Sequence, residues 1–329
     1  MSASGCSPFE GTEKKVEMAV DPSLPSFRDR GDDYWTGVAA RAGAGVVSKI
    51  SNEHCDAYVL SESSLFVWDH KILMLTCGRT TLHDAVLELL RTVPAGAVTF
   101  LAYQRKNEVF PRDQPTSFFD DFRTLNRKLP GRAFQFGHED EHHLYLFHLG
   151  GKGPSDPQDT TLEILMYGID PAIAEQFSLA THRVTHEVRG ATGVGRILDG
   201  FRIDDHLFEP TGYSLNGIRD RSYYAVHVTP ESTGSYASFE TNQRFECDRD
   251  EVVGRVLEVF RPRSFDVVLF DTTDGEPRLS DHGYRRRCHV SQALDCGYRV
   301  RFISHYRPQT AVASAIELTL PGVEADVEA

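Results

Sequence analysis

Two pairs of polar side chains carry the types and spacing that chemistry could use. Residues 58–78 read YVLSESSLFVWDHKILMLTCG, two β-rich runs broken at Asp69-His70, which is a hairpin signature. Antiparallel pairing about a turn near residue 70 sets Ser63 opposite Cys77. A slip of one residue would turn one of them to the other sheet face and break the contact. A hydroxyl can serve as a nucleophile, and a thiol as a nucleophile or a proton donor. Facing each other in an apolar hairpin, they cost free energy unless they are used or satisfied. Both are also small enough simply to pack on a strand. The second pair lies in GYSLNGI and YYAVHVTP, joined near Asp220-Arg221, where the same reasoning sets Ser214 opposite His227.

The elements that must hold these residues follow from periodicity. Glu13, Lys15 and Glu17 alternate with Val16, Met18 and Val20, a two-faced strand in which Glu13 and Glu17 share one face. A loop over 21–33 precedes a helix around 34–41. After the first hairpin, Thr81 and Asp84 form a Thr-x-x-Asp start signal. Leu82, Val86, Leu89, Leu90 and Val93 then recur at helical spacing, which predicts an amphipathic helix over the sheet. Cys77 would sit a few residues before the N-terminus of that helix, whose dipole eases thiolate formation, whereas a proton donor must keep its proton. Further elements are a strand over 98–103, a loop over 105–116, a helix over 118–125, a Gly/Pro-rich connection over 150–158 and a helix over 250–260. Asp159, Thr161 and Glu163 share one strand face while Leu162, Ile164 and Met166 share the other, and Tyr236, Ser238 and Glu240 repeat the pattern. Carboxylates in register are either a solvated surface or a buried acidic pocket, which would need partners or a cation. A helix follows each hairpin, which is consistent with two similar halves.

The chain has 329 residues, 40% hydrophobic and 25% charged, as in a soluble globular protein. It has no signal-like apolar segment and nothing approaching the roughly 18 apolar residues of a membrane span, so a cytoplasmic protein without membrane partners is expected. Net charge is -13, from 35 basic and 48 acidic residues, with a single short basic cluster at Arg285-Arg286-Arg287. Nucleic acid is therefore not an expected partner, and a cationic ligand suits the field. Six cysteines without a CxxC pair, at 6, 55, 77, 247, 288 and 296, read as reduced thiols. Glu139-Asp140-Glu141-His142-His143 leads into strand alternation and reads as a solvated strand entrance, with no metal site expected. RGATGVGR at 189–196 lacks the context of a phosphate loop and reads as a plain turn. Residues 1–8 and 321–329 read as disordered.

Six strings give these features a context: FEGTEK at 9–14, YVLSESSLFV at 58–67, TCG at 76–78, GYSLNG at 212–217, HVTPE at 227–231 and SFETN at 238–242. In their order and spacing the chain resembles S-adenosylmethionine decarboxylase of the eukaryotic type, from about residue 9 to about residue 300. The resemblance implies an α+β fold, a four-layer αββα sandwich of two antiparallel sheets flanked by helices, with internal duplication. It makes 1–329 a single domain whose precursor cuts its own Glu62-Ser63 bond into a beta chain, 1–62, and an alpha chain, 63–329. Ser63 would become a pyruvoyl group, the electron sink that forms a Schiff base with the substrate amine in place of a diffusible cofactor.

The same resemblance implies roles for other residues. His227 would remove the α-proton of an ester intermediate, with Ser214 holding developing charge. Cys77 would protonate the substrate α-carbon, with Glu10 tied to catalysis and Glu13 to processing. Phe9 and Phe208 would stack on adenine, Glu62 would lie at the substrate site and Glu231 would hold the ribose hydroxyls. Glu17, Asp159, Thr161, Glu163 and Glu240 match a buried site at which putrescine activates animal members. Many relatives carry Lys two residues before the catalytic Cys, where this chain has Leu75, so either a stronger need for a diamine or a different regulation follows. Monomer and homodimer are both open. A pyruvoyl-dependent ornithine or arginine decarboxylase would not need Phe9, Phe208 and Glu231. A regulatory relative without activity would be expected to have lost Ser63, Cys77 or His227.

Overall fold

The computed structural model describes residues 9–150, 159–231, 234–244 and 249–308. The expected disorder of 1–8 and 321–329 lies outside these residues, as do Cys6, Cys247 and nearly all of the 150–158 connection. The first half contains strands β1 (Lys14–Val20), β2 (Val46–Ser51), β3 (Asp56–Leu60), β4 (Ser63–Val67), β5 (Lys71–Thr76), β6 (Val98–Lys106), β7 (Gly131–Phe136) and β8 (Leu144–Leu149). Its helices are α1 (Asp32–Arg41), α2 (Leu82–Leu89) and α3 (Phe118–Asn126). The second half contains β9 (Thr161–Tyr167), β10 (Arg202–Leu207), β11 (Tyr213–Arg219), β12 (Ser222–Thr229), β13 (Tyr236–Thr241), β14 (Ser264–Asp271), β15 (Arg285–Ala293) and β16 (Arg299–Tyr306). Its helices are α4 (Pro171–Ala174), α5 (Thr185–Thr192) and α6 (Arg249–Phe260).

Each half forms one eight-stranded sheet. The orders are β2-β3-β4-β5-β1-β6-β8-β7 and β10-β11-β12-β13-β9-β14-β16-β15. Adding eight to each strand of the first gives the second, so the duplication is written in the topology. Period-two alternation sets the layers. Even-numbered residues of β1, Val16, Met18 and Val20, pack with Trp35 of α1, Leu82 and Val86 of α2 and Leu125 of α3. Leu162, Ile164 and Met166 of β9 pack with Val253 and Val256 of α6. Between the sheets lie Phe66, Leu73, Ile218 and Tyr223 at one end, and Leu146, Leu165, Val268 and Phe302 at the other. Each such fully buried side chain contributes about 1.5–3 kcal/mol, so the three apolar layers make an αββα sandwich the stable arrangement.

Four sequence expectations need correction. The β4–β5 turn holds only Asp69 and His70, with the Trp68 amide donating to the Lys71 carbonyl at 2.8 Å, so Ser63 pairs with Thr76 and not with Cys77. Thr81 does precede α2, but its side chain caps nothing: the hydroxyl donates to the Arg41 carbonyl at 3.4 Å, which ties α2 to α1. RGATGVGR is not a plain turn, because its first four residues end α5, Gly193 closes that helix at φ 78° and Val194–Arg196 adds a short 3-10 turn. His142 and His143 enter β8 as expected but are not solvated, since His143 is buried and His142 lies over Tyr167 with ring centroids 3.8 Å apart. Among the described residues no group of three His, Cys, Asp or Glu could hold a metal ion, and no helix is long and apolar enough to cross a membrane.

Candidate active site

Leu60 pairs with Ser63, so Ser61 and Glu62 form the tight turn between β3 and β4, and the Glu62-Ser63 bond joins turn to strand. The turn is pinned from outside, with the Ser61 amide donating to the Gly45 carbonyl at 2.7 Å and the Gly45 amide to Ser61 Oγ at 2.9 Å. Ser63 adopts φ 134°, a backbone region that side chains other than glycine rarely enter. Such a conformation costs about 1–3 kcal/mol and persists only where the surroundings over-determine it.

The strained backbone has a geometric consequence. Thr76, the register partner of Ser63, belongs to the row with Lys14 and Arg105. Ser63 Oγ nevertheless donates to Cys77 Sγ at 3.4 Å. Cys77 follows β5 and closes the ladder one step further on. Its amide donates to the Glu62 carbonyl at 2.9 Å, and its Sγ–H donates to the same oxygen at 3.4 Å. Two donors thus polarise the carbonyl of the bond that ends at Ser63, as an oxyanion site would. The expected juxtaposition of Ser63 and Cys77 is present by a different route, backbone strain in place of register. Burial raises the Cys77 thiol well above its ordinary range, the Glu62 charge adding to the effect, so the thiol keeps its proton.

The second sheet brings a row to the same site. Ser214, His227 and Ser238 are direct register partners on β11, β12 and β13. Ser214 Oγ lies 3.0 Å from His227 Nδ1. The other ring nitrogen, Nε2, is buried without a partner among the described residues, and burial alone lowers the imidazole to about 3, leaving a neutral base. Ser238 Oγ donates to Glu13 Oε1 at 2.6 Å. Burial raises the Glu13 carboxyl to about 8 against the pull of that hydrogen bond. Glu62 Oε2 is likewise buried and unpartnered, and burial lifts its carboxyl to about 7. The row and the strained junction are linked through Glu13, which Ser238 of the second sheet holds and whose charge reaches Cys77.

Gly78 joins these groups to Phe9 and Glu10. It sits at φ 65°, its amide donates to the Glu10 carbonyl at 2.8 Å, and a Cβ there would meet Glu62 Oε2 at 2.6 Å and the Phe9 ring at 2.9 Å. Phe9 is 38% exposed. Glu10 is not free for proton transfer. One carboxylate oxygen accepts from the Thr12 amide and hydroxyl at 3.1 and 2.8 Å, and the other from the Phe110 amide at 2.7 Å. Phe208, half-buried after β10, packs against His206 and Gly212, and no ring contact joins it to Phe9. Glu231 lines an open cavity of about 1180 Å³ with Thr211 and Tyr236.

The acidic pocket is buried and contains its own cations. Lys15 Nζ lies 2.7 Å from Glu163 and 2.9 Å from Glu240, all three nearly excluded from solvent. Gln104 Nε2 donates to Glu163 at 3.0 Å and the Tyr223 hydroxyl to Glu240. Lys71 Nζ lies 2.6 Å from Glu17 and 3.8 Å from Asp159, which also accepts from the Tyr298 hydroxyl at 2.6 Å. Thr161 is buried at the start of β9. Lys15 and Leu75 are direct cross-strand partners. The cation absent at Leu75 is therefore supplied from the neighbouring strand, a compensation legible in the Glu13, Lys15, Glu17 alternation. Gln104 and Tyr223 carried no such signal.

Comparison with known proteins places this geometry. A family model for adenosylmethionine decarboxylase matches residues 6–306. The S-adenosylmethionine decarboxylase proenzyme of Leishmania donovani is 37% identical over 280 residues, 80% of this chain and 73% of that protein. The proenzyme of Trypanosoma cruzi is 36% identical over 286 residues, covering 82% and 77%. The Xenopus laevis proenzyme is 34% identical over 279 residues, covering 80% and 83%. The crystal structure of a Trypanosoma brucei AdoMetDC-delta26 monomer superposes with a TM-score of 0.60 at 26% identity, over 74% of this chain and 99% of that one. A match over nearly the whole described chain, with the two-sheet architecture to go with it, shows that the chain belongs to the adenosylmethionine decarboxylase family.

Proposed function

We propose that the chain is a self-processing decarboxylase that converts S-adenosylmethionine to its decarboxylated form and carbon dioxide, using a pyruvoyl group made from Ser63. The observation that carries this reading is the Glu62-Ser63 junction itself, a strained peptide whose carbonyl accepts from Cys77 while the serine hydroxyl sits against the Cys77 thiol. In the first step Ser63 Oγ attacks the Glu62 carbonyl carbon. The C–N bond breaks, an ester C–O bond forms, and the hydroxyl proton passes to the freed amine. His227, neutral and with an open Nε2, then takes the Ser63 α-proton, the Cβ–Oγ bond breaks and the Glu62 carboxylate leaves. Water hydrolyses the remaining enamine, through its imine tautomer, to ammonia and the pyruvoyl carbonyl. No oxidant is required.

The orphaned Glu62 Oε2 and His227 Nε2 fit a small carbonyl group at position 63 with a charged substrate beside it. Once formed, that group supplies the conjugated carbonyl that stabilises the carbanion left by carbon dioxide. Cys77, kept protonated by burial, delivers a proton to the substrate α-carbon. Phe9, partly exposed beside Gly78, and Phe208, half-buried after β10, are the aromatic faces that would stack on a planar base. Glu231 accepts from a ribose diol. Glu10 positions the FEGT turn around the site, and Glu13 supplies a proton store against Ser238. The two products, 1–62 and 63–329, stay paired because β3 and β1 of the small chain remain in the ladder with β4, β5 and β6.

Intact-mass measurement on the purified protein tests this reading. Two fragments divided after Glu62, the larger carrying a carbonyl in place of its amine, and carbon dioxide release from S-adenosylmethionine but not from ornithine are expected. A single chain stable for days would overturn it. The cramped Gly78 gives a sharper expectation. Gly78→Ala forces a side chain to φ 65° and pushes on both Glu62 and Phe9. It should slow self-cleavage and raise KM about tenfold or more, with thermal stability reduced by only about 1–2 kcal/mol.

The acidic pocket reads differently from an effector site awaiting a diamine. Lys15 and Lys71 already place an ammonium on each half of it, so activity is expected without putrescine. A cytosolic setting suits the unpaired state of Cys55, Cys77, Cys288 and Cys296.

A further inference from the structure

Lys14 is a buried cation for which the decarboxylation chemistry has no use. It is 1% exposed, and its ammonium donates to the Gly78 carbonyl at 3.0 Å, Gln114 Oε1 at 2.8 Å and Thr80 Oγ1 at 3.5 Å. All three acceptors are neutral, and Lys14 makes no ion pair among the described residues. A fully buried ammonium without a carboxylate is rare, because hydrogen bonds alone offset only part of the desolvation cost. On the other side of Gly78 stands the reverse case. Glu62 Oε2 is buried with no donor among the described residues, packed 2.6 Å from where a Gly78 Cβ would be, and the Glu62 carbonyl rests on the Cys77 amide at 2.9 Å. A cation with no direct acid partner and an acid with no donor among the described residues thus flank the Cys77-Gly78 peptide, near enough that the Lys14 charge pulls the Glu62 carboxyl down against its burial.

We infer that Lys14 is the counter-ion held ready for the α-carboxylate that self-cleavage creates at Glu62, and that its charge helps drive the cut by stabilising that leaving group. The inference rests on the self-processing reading above. In the step that expels Glu62, the Cβ–Oγ bond breaks and both electrons go to the ester oxygen. A neutral acyl group thereby becomes a carboxylate in a largely buried site. One oxygen of the new carboxylate keeps the Cys77 amide. The negative charge then falls one peptide unit from the Lys14 ammonium, which pairs with no carboxylate directly among the described residues, since Glu108 and Asp121, whose charges reach it, are both held by Arg105. The effect is electrostatic, acting across the peptide, and the three neutral acceptors fix where the charge sits. In the uncut chain, burial lowers the ammonium to about 8, leaving Lys14 sensitive to any anion that arrives. Lys14 is therefore a positioning residue of the cleavage site, distinct from Lys15 of the acidic pocket on the opposite face of β1.

The test compares cut and uncut protein. Lys14→Met is made both in the wild-type chain, incubated until cut, and in a Ser63→Ala chain that cannot be cut. Self-cleavage slowed about tenfold, with Lys14→Arg cutting near the wild-type rate, and a thermal shift clearly larger in the cut than in the uncut protein are expected. A purely structural clamp would shift both backgrounds equally and leave the cleavage rate unchanged, and that result overturns the inference while the self-processing reading stands. Should Lys14→Met fail to fold, lysine side-chain NMR on the unsubstituted Lys14 decides. Its titration should move up by about one pH unit or more between the Ser63→Ala chain and the cut protein, and an unmoved titration overturns the inference. A wild-type chain that never cuts overturns both readings together.

Discussion

Ser63→Ala is expected to give one uncut chain of 329 residues, folded, with S-adenosylmethionine decarboxylation reduced on the order of 10⁴-fold or more. The size of the effect follows from the double use of one oxygen. Without Oγ no ester can replace the Glu62-Ser63 bond, and without the cut no electron sink exists for the carbanion. Retention of the fold follows from the small change in packing. Alanine occupies the same 2% exposed position and suffers a similar backbone strain, losing only the 3.4 Å contact to Cys77 Sγ. A thermal unfolding curve within a few degrees of the precursor, beside an intact mass showing one chain, is the predicted pair of results. Normal cutting by the variant would remove Ser63 from the chemistry, and decarboxylation without cutting would remove the pyruvoyl reading altogether.

The sequence reached this site through local rules, and its errors show where those rules stop. Hairpin pairing is local, so Ser214 and His227 were placed opposite each other by counting from Asp220-Arg221, and the ladder has them there. The same counting failed by one residue at Ser63, because a two-residue and a three-residue turn about Asp69-His70 look alike in sequence. The Ser63–Cys77 contact survives through φ 134°, a strained backbone that no propensity encodes. Helices were legible from their apolar spacing, but the Thr81 cap was lost to a tertiary partner, the Arg41 carbonyl, 40 residues away. Contacts between sheets were the least legible. Glu13 with Ser238, Lys15 with Glu163 and Glu240, and Ser64 with Asn216 join positions 152 to 225 residues apart for Ser64 and Glu13. Periodicity assigns such residues to a face without naming what lies opposite. The solvated and buried readings of the carboxylates at 159, 163 and 240 were separated only when the first sheet covered them with Lys15 and Lys71.

That covered pocket sets the second large effect. Lys15→Met is expected to destabilise the protein by about 3–5 kcal/mol, the usual consequence of removing one partner from a buried ion pair. Glu163 and Glu240 would face each other across neighbouring strands with only Gln104 and Tyr223 as donors. Burial already lifts Glu240 to about 7 while Lys15 pulls it down. Without the lysine the Glu240 carboxyl would be driven further toward the neutral form, and the precursor should melt earlier as pH rises, since ionising it in the fold then has no compensation. A diamine supplies the missing charge. Putrescine at millimolar concentration should restore part of the lost thermal stability and activity to Lys15→Met, through the mass-action stabilisation that any ligand of the folded state provides. The unsubstituted protein should respond by less than about twofold, because its Lys15 ammonium already occupies the space between Glu163 and Glu240 and Lys71 that beside Glu17. The comparison discriminates between a site designed for a diffusible cation and one that carries its own. Strong activation of the unsubstituted protein, or a variant indifferent to putrescine, would show that Lys15 does not stand where a diamine could.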